Sequence, residues 1–190
     1  FLANTSHELR TPLHAIYGMA EDAYCNATGE IKNSMQYVMD SARRLTNQVN
    51  DILDVSKMKN QDLRLNKKNI DVRQVVAVVV GLQDNLAKKK GLKLINDVEK
   101  NIIVTADEER LYQVLTNLIG NSIKFTEKGQ IMITAKRNNG KVLIAVSDTG
   151  IGIKKEDQEK IFQSFSQADE TIARQFGGTG LGLTITKGLV

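Results

Sequence analysis

The stretch Thr5-Ser6-His7-Glu8-Leu9-Arg10-Thr11-Pro12-Leu13 decides how the first part of this chain folds. Around it, apolar residues and one serine recur in alternating steps of three and four, at Leu2, Ser6, Leu9, Leu13, Ile16, Ala20 and Ala23. This spacing predicts a helix with one apolar seam, from residue 1 to about residue 24. His7 follows a seam position and points about 100° away from it, so we expect an exposed imidazole.

Two neighbours of His7 bear on its chemistry. Glu8 is a carboxylate that can orient or deprotonate the imidazole. Pro12, the only proline in the chain, removes one backbone hydrogen bond of the predicted helix and crowds the preceding turn. We therefore expect a bend one turn after His7, which either acts as a pivot or is simply a kink.

A second helix is predicted over residues 30–60, after the turn-forming cluster Asn26-Ala27-Thr28-Gly29. Its apolar residues repeat in steps of four and three, at Ile31, Met35, Val38, Ala42, Leu45, Val49 and Ile52. Two such helices joined by a short loop form an antiparallel hairpin. A lone hairpin has a seam but no enclosed core, so we expect a homodimer in which two hairpins form a four-helix bundle.

The sequence predicts three parts: a helical hairpin over 1–62, a polar linker over 63–70 and a domain of mixed α and β structure over 71–190. The third part begins with the Val-rich stretch 72–90, which is long enough for a buried helix but also suits strands. Its other predicted elements are strands at 92–95 and 102–104, a helix from the cap Asp107 to about Phe125, and a hairpin of 130–136 and 142–147 that turns at Asn138-Asn139-Gly140.

Composition and charge argue against several classes of function. The net charge is +4, and the densest basic run, Lys88-Lys89-Lys90, has no interleaved aromatic residue, so we expect a solvated helix end and no nucleic-acid binding. No apolar run could span a bilayer and no signal peptide is present, while the single Cys25 cannot form an internal disulfide. We expect a cytoplasmic fragment whose parent reaches a membrane only through segments absent from it.

Two clusters in the second half suggest a nucleotide site. Asn117 and Asn121 share one helix face with Lys124, which combines amide oxygens suited to Mg²⁺ with an ammonium that can hold phosphate. Asp148-Thr149-Gly150-Ile151-Gly152 directly follows an apolar strand, where Gly150 and Gly152 let the backbone approach a ligand. A carboxylate disfavours phosphate, so an adenine amino group is the better partner for Asp148. Taken singly, each cluster is equally well explained by solvated surface residues.

The third cluster is Gly177-Gly178-Thr179-Gly180-Leu181-Gly182-Leu183, which leads into a predicted helix. Four glycines in six positions at a helix N-terminus form a cradle of backbone amides that favours anions. The stretch matches neither G-x-x-x-x-G-K-[ST] nor G-x-G-x-x-G. A P-loop fold and a dinucleotide-binding fold are therefore both disfavoured.

These motifs resemble those of sensor histidine kinases. Ser6 to Leu13 looks like the H-box, the three clusters resemble the N-box and the two glycine boxes, and Ile161-Phe162-Gln163-Ser164-Phe165 is similar to the F-box. Five motifs in this order cover nearly the whole chain. The stretch Phe165 to Asp169 looks most like hybrid kinases, which carry their own receiver domain.

The resemblance implies a dimeric four-helix bundle followed by an α/β sandwich ATP-binding domain of Bergerat type, truncated at its C-terminal end. It implies phosphorylation of His7 by ATP and Mg²⁺, transfer to an aspartate of a response regulator or receiver domain, and phosphatase activity towards that aspartate. Glu8 would be the base, Thr11 would aim the hydrolytic water, and residues 163–178 would be a lid. The ATP-binding set would be Asn117, Asn121 as Mg²⁺ ligand, Lys124 on phosphate, Asp148 on adenine, Gly150, Gly152, Gly178, Thr179, Gly180, Leu181 and Gly182.

The alternative function is a non-kinase dimeric clamp or scaffold gated by ATP. Gyrase, mismatch-repair proteins and some heat-shock chaperones have a similar ATP-binding fold. Those proteins lack an exposed His-Glu pair on a dimerising hairpin, so the first sixty residues discriminate between the two functions.

Overall fold

A computed structural model describes residues 2–60, 63–163 and 180–190, and of residues 2–8 it describes the helical backbone alone. The chain divides into two units, Phe1–Leu63 and Arg64–Val190. None of the helices in the described ranges combines the length and the apolar character that a membrane span requires.

The first unit is the predicted helical hairpin. Helix α1 spans Leu2–Asn26 without interruption at Pro12, and helix α2 spans Gly29–Lys59. The chain reverses at Thr28, which is extended, and at Gly29, whose φ of 60° is in the left-handed region that favours glycine. Both predicted helices are confirmed to within two residues, since long apolar periodicity is a strong signal.

The seam of this hairpin is only partly buried. The predicted seam residues Leu13, Ala20 and Ala42 are buried, as are Met39 and Leu53, each of which lies one position after a predicted seam residue. Other predicted seam residues stay open: Ile16 and Leu45 are each 47% exposed. They belong to an apolar groove lined by Leu13, Ile16, Tyr37, Val38, Ser41, Ala42 and Leu45, which we call the hairpin groove.

The second unit contains five strands and three helices in its described part. In chain order these elements are β1 Lys67–Asp71, α3 Val72–Lys89, β2 Lys93–Asn96, β3 Ile103–Asp107, α4 Glu108–Phe125, β4 Gln130–Asn138, β5 Lys141–Asp148 and α5 Gly182–Leu189. Two short 3-10 turns, Lys155–Asp157 and Lys160–Phe162, lie between β5 and α5.

The strands form two small sheets. Strands β1 and β3 pair antiparallel, with Ile70 opposite Val104. Strand β4 pairs in parallel with β2 and antiparallel with β5. The β4–β5 turn has positive φ at both Asn139 (46°) and Gly140 (79°), which is the type I′ geometry that Asn-Gly favours.

Helices α3 and α4 supply one side of the core. The valines of α3 that recur at helical spacing are buried, namely Val72, Val75, Val76 and Val79, so the Val-rich stretch is a helix. They join Leu115 and Ile119 of α4 and Ile131 and Ile133 of β4 in one cluster. Full burial of each such side chain stabilises by about 1.5–3 kcal/mol. The predicted mixed α/β architecture is thereby confirmed.

Two predictions need correction. Strand β1 begins at Lys67, inside the predicted linker 63–70. The sequence does not indicate this strand, because Ile70 is the only buried residue of its five. The prediction that the end of α3 is solvated is only partly correct. Lys90 Nζ donates to the carbonyl oxygens of Ile123 (2.8 Å) and Lys124 (2.9 Å). A cation there satisfies carbonyls that the end of α4 leaves without helical partners.

Asp107 caps α4 as predicted. Its Oδ1 accepts from the backbone N–H of Arg110 at 3.2 Å, and its Oδ2 accepts from the backbone N–H of Asn66 at 2.8 Å. The Asn66 bond, above all, holds the pKa of the Asp107 carboxyl below its ordinary value. This single side chain therefore joins the start of α4 to the segment that enters β1.

Candidate functional site

The C-terminal half of α4 is the meeting point of the three predicted nucleotide clusters. Asn117 Nδ2 donates to the carbonyl oxygen of Gly182 at 3.2 Å, which brings the start of α5 to this helix. Ser122 Oγ donates to Asp148 Oδ2 at 2.9 Å, which brings the end of β5 to the same helix. Residues up to 65 positions apart in sequence thus line one side of the second unit.

The Asp148 carboxylate is exposed but fixed in orientation. Its Oδ1 accepts from the backbone N–H of Gly150 at 3.0 Å, and its Oδ2 accepts from Ser122. An ionised carboxylate offers about four lone-pair positions, so it retains capacity for an incoming donor. Sequence reasoning missed Ser122, although a buried hydroxyl in the apolar stripe of α4 is a recognisable signal.

The glycine loop after β5 is anchored to the end of α4. A Cβ on Gly150 would lie 2.6 Å from the Phe125 carbonyl oxygen, so no side chain fits there. The next residue donates from its backbone, Ile151 N to Phe125 O at 3.3 Å. Gly152 has a φ of 69° and open space around its Cα, so its need for glycine is conformational.

Thr149 fixes the same loop from its other side. Its Oγ1 donates to the Lys128 carbonyl oxygen at 3.1 Å and accepts from the Gln130 N–H at 3.2 Å. A Cβ on Gly129 would collide with Thr149 Oγ1 at 2.1 Å, and the φ of Gly129 is 116°. The loop that carries Asp148 is therefore held by the start of β4 as well as by α4.

Lys124 is set in a partly buried position at the end of α4. Burial lowers the pKa of its ammonium, because removal from water disfavours the charged form. Its Nζ lies 4.7 Å from the centre of the Phe125 ring. Asn121 lies one turn before it and is half-buried, so the two share a face as the sequence predicts.

The second glycine cluster is described from Gly180 onward. Gly180 has a φ of 69°, and Leu181 is 1% exposed, so its side chain anchors the entry to α5. The second 3-10 turn is tied to this helix as well, since Thr184 Oγ1 donates to the Phe162 carbonyl oxygen at 3.1 Å. Gly178 and Thr179 lie outside the described residues, as does the predicted lid except for Gln163.

The predicted phosphoacceptor lies in the first unit. His7 and Glu8 are part of α1, but their side chains lie outside the described residues. One turn further on, Thr11 is exposed. Arg10 Nη2 donates to Asn50 Oδ1 at 2.8 Å, which ties this turn of α1 to α2. Sequence reasoning did not single out Asn50, because its role depends on a contact between the two helices.

Comparisons with known proteins agree with this division. Residues 1–61 match the family model of the His Kinase A (phospho-acceptor) domain, and residues 106–190 match that of the histidine kinase-, DNA gyrase B- and HSP90-like ATPases. The signal transduction histidine-protein kinase BarA of Escherichia coli (strain K12) is 43% identical over 200 residues, covering 100% of this chain and 22% of BarA.

Two further matches extend the comparison. The autoinducer 2 sensor kinase/phosphatase LuxQ of Vibrio cholerae is 36% identical over 197 residues, covering 100% of this chain and 23% of LuxQ. The crystal structure of full-length ShkA in complex with AMPPNP has a TM-score of 0.82 at 34% identity, covering 99% of this chain and 40% of ShkA. This chain spans about a fifth of the length of the curated relatives, 22% and 23%.

The family model of the second unit also includes DNA gyrase B and HSP90, so that unit alone does not separate kinases from other ATPases. The first unit does, because it matches the phospho-acceptor domain that carries the His-Glu pair. With both domains in this order, the chain belongs to the sensor histidine kinase family.

Proposed function

We propose that this chain is the catalytic core of a two-component kinase that phosphorylates His7 with ATP and passes the phosphoryl group to an aspartate of a receiver domain. The observation that carries the proposal is the match of residues 1–61 to the phospho-acceptor domain model, which separates this chain from other ATPases of the same fold. The contacts of α4 support the ATP site, because Asn117 contacts Gly182 and Ser122 contacts Asp148. The side chains that would read the base, bind the metal and bind phosphate are thereby brought near one helix.

The residues of this surface fit an adenine nucleotide with Mg²⁺. The Asp148 carboxylate keeps acceptor capacity for the 6-amino group, and Gly150 and Gly152 allow the loop that follows it to adopt its conformation against α4. The amide oxygen of Asn121 is a hard ligand suited to Mg²⁺, and Lys124 supplies a cation for phosphate. When bound, Mg²⁺ offsets negative charge on the phosphate oxygens.

The reaction at His7 is a direct displacement. A ring nitrogen of His7 forms the N–P bond while the bond from the γ-phosphorus to the departing ADP oxygen breaks. Glu8 accepts a hydrogen bond from the N–H of the other ring nitrogen, which holds the imidazole in its nucleophilic tautomer, and it takes that proton as the N–P bond forms. Transfer to the receiver then breaks the N–P bond and forms an aspartyl phosphate, and Glu8 returns the proton to give neutral His7.

The decisive experiment is labelling of the chain with γ-labelled ATP. We expect acid-labile, alkali-stable phosphate on the wild-type chain and none on His7→Gln, whose affinity for ADP should be unchanged. The matched control is His14→Gln, because His14 is the only other histidine and is exposed on the same helix. Label that survives in His7→Gln and disappears in His14→Gln would refute the assignment of His7.

A phosphatase reaction on the receiver is the second activity we propose. Thr11 lies one helical turn after His7 and is exposed, which supports a role in which its hydroxyl binds a water and aims it at a phosphoaspartate. LuxQ, whose name records both kinase and phosphatase, offers a precedent among the relatives.

The variant Thr11→Ala tests this second activity. We expect dephosphorylation of a labelled receiver to slow by about 10- to 100-fold, because aiming the water is lost, while labelling of His7 stays within about twofold. Both rates should be measured on one preparation. Loss of labelling with dephosphorylation intact would mean that Thr11 serves the kinase reaction instead.

A further inference from the structure

Two buried hydroxyl groups have no hydrogen-bond partner among the described residues, and they belong to Thr126 and Thr186. Thr126 is the more enclosed, at 0% exposure against 7% for Thr186. A buried hydroxyl without a partner is costly, because it gives up hydrogen bonds to water and gains none. Native proteins contain few such groups, so each one calls for an explanation.

Thr126 lies beside the predicted base-reading carboxylate. It is the first residue after α4, where its N–H donates to the Ser122 carbonyl oxygen at 3.0 Å. A Cβ built on Gly150 would lie 3.0 Å from Thr126 Oγ1 and also 3.0 Å from Asp148 Oδ1. The unpaired hydroxyl and the carboxylate therefore adjoin the same point of the glycine loop.

The acceptors near this point indicate which partner is available to Thr126. The hydroxyl is buried, so the neighbouring protein groups are the candidates for its partner. The Phe125 carbonyl oxygen already accepts from Ile151 N. The Asp148 carboxylate accepts from Ser122 Oγ and Gly150 N, which leaves about two of its four lone-pair positions. A bound 6-aminopurine would take one of them, and the unpaired Thr126 hydroxyl, which adjoins the same point of the loop, is a donor for the other.

We propose that Thr126 is a positioning residue of the base subsite, whose hydroxyl donates to Asp148 when a 6-aminopurine nucleotide is bound. The bond orients the carboxylate towards the 6-amino group and so favours 6-amino over 6-oxo purines. This inference rests on the proposed function, because it requires Asp148 to read the base. The hydroxyl acts through Asp148 and does not itself touch the nucleotide.

The test is a comparison of two nucleotides by isothermal titration calorimetry. ADP carries the 6-amino group and inosine diphosphate carries an oxygen in its place. In the near-isosteric Thr126→Val we expect ADP affinity to fall by about 3- to 10-fold, the range for loss of one hydrogen bond, and inosine diphosphate affinity to stay the same. Thr126→Ser keeps the donor and should restore the wild-type preference for ADP.

Thr186→Val is the matched control, since it removes the other unpartnered buried hydroxyl. It should leave both affinities unchanged. The inference would be overturned if Thr126→Val kept the wild-type ratio of ADP affinity to inosine diphosphate affinity. An equal loss of affinity for both nucleotides keeps that ratio and indicates a structural defect. Should the valine variant not fold, Thr126→Ala gives the same comparison. Failure of the wild-type chain to bind ADP would refute the proposed function instead.

Discussion

The two units of the chain differ in how far they enclose a core, although both have exposed apolar side chains, such as Leu82 of α3 in the second unit. In the second unit Leu115, Ile119 and Ile133 are fully buried, at 0% exposure. In the helical hairpin, residues of equal size at predicted seam positions stay open, with Val38 at 37% and Leu45 at 47% exposure. The second unit therefore closes its own core, whereas the hairpin leaves apolar surface for another chain to cover.

The difference extends to the functional residues. In the second unit, Asp148 is held by hydrogen bonds from Ser122 and Gly150, as suits a surface that must bind the same ligand each time. In the hairpin, Thr11 and His14 are exposed, as suits a helix that other domains must approach. The second unit therefore fixes the orientation of its candidate site residue, whereas the hairpin leaves its candidate residues accessible to another domain.

The largest expected effect is a loss of association when a charge is placed in the hairpin groove. Leu45→Glu places a charge among the apolar side chains that we propose a second copy covers, so association should weaken by at least about 100-fold. Sedimentation at about 10–100 µM, a working range for weak association, should show a dimer for the wild type and a monomer for the variant. Affinity for ADP should not change, because the second unit has its own core.

The matched control is Asn47→Glu, which adds the same charge to the same helix. Asn47 is exposed and lies about 200° around α2 from Leu45, so it does not line the groove. This variant should remain dimeric. If the sedimentation mass of the wild type equalled that of one chain in this concentration range, the comparison would be contradicted. The hairpin would then be stable with its apolar groove exposed.

A smaller effect is expected in the second unit. Asp148→Asn replaces one acceptor of the carboxylate by a donor, so ADP affinity should fall by about 10- to 100-fold, the range for a hydrogen bond to a charged group. Sedimentation should still show a dimer. Calorimetry with and without Mg²⁺ should include Asn121→Ala, which we expect to lose chiefly the Mg²⁺ dependence. Full-strength ADP binding by Asp148→Asn would exclude the adenine role.

The elements that the sequence predicts well are those with strong local signals. Both hairpin helices have long apolar periodicity, and the β4–β5 turn has an Asn-Gly pair with positive φ. Strand β1 escaped prediction because its pairing with β3 is a tertiary property of a mostly polar segment. A local sequence pattern does not identify a strand's pairing partner more than thirty residues away. Ile70, which pairs with Val104, is an example.

The same reasoning separates the site residues. Motif resemblance singles out residues that would face the ligand, such as Asn121 and Asp148. It does not find Ser122 or Lys90, because these act on other protein groups and their roles follow from which segments pack together. Of the glycine cluster, Gly178 and Thr179 lie outside the described residues, so their roles stay predictions.

The smallest predicted effect concerns the stability of the second unit. The pKa of the Asp107 carboxyl is held below its ordinary value of 3.8 by the Asn66 N–H first and the Arg110 N–H next. A lowered pKa means that the ionised form stabilises the fold above pH 3.8 and that this contribution is lost as the pH falls through the folded value. Asp107→Asn should therefore lower the free energy of unfolding at pH 7 by about 0.5–1.5 kcal/mol, because it removes a screened charge at a helix N-terminus and replaces one of the two accepting oxygens by a donor.

Denaturant titration provides the measurement and again distinguishes the two units. A dimeric hairpin unfolds with a midpoint that depends on protein concentration, whereas the midpoint of the second unit should not. In that second transition, the difference between wild type and Asp107→Asn should be constant above about pH 5 and shrink below it, where the wild-type carboxylate becomes protonated. Asp107→Ala should cost about 1 kcal/mol more, because asparagine still caps a helix and alanine does not. A difference that persists unchanged at pH 3 would mean that the side chain acts by shape and hydrogen bonding rather than by its charge.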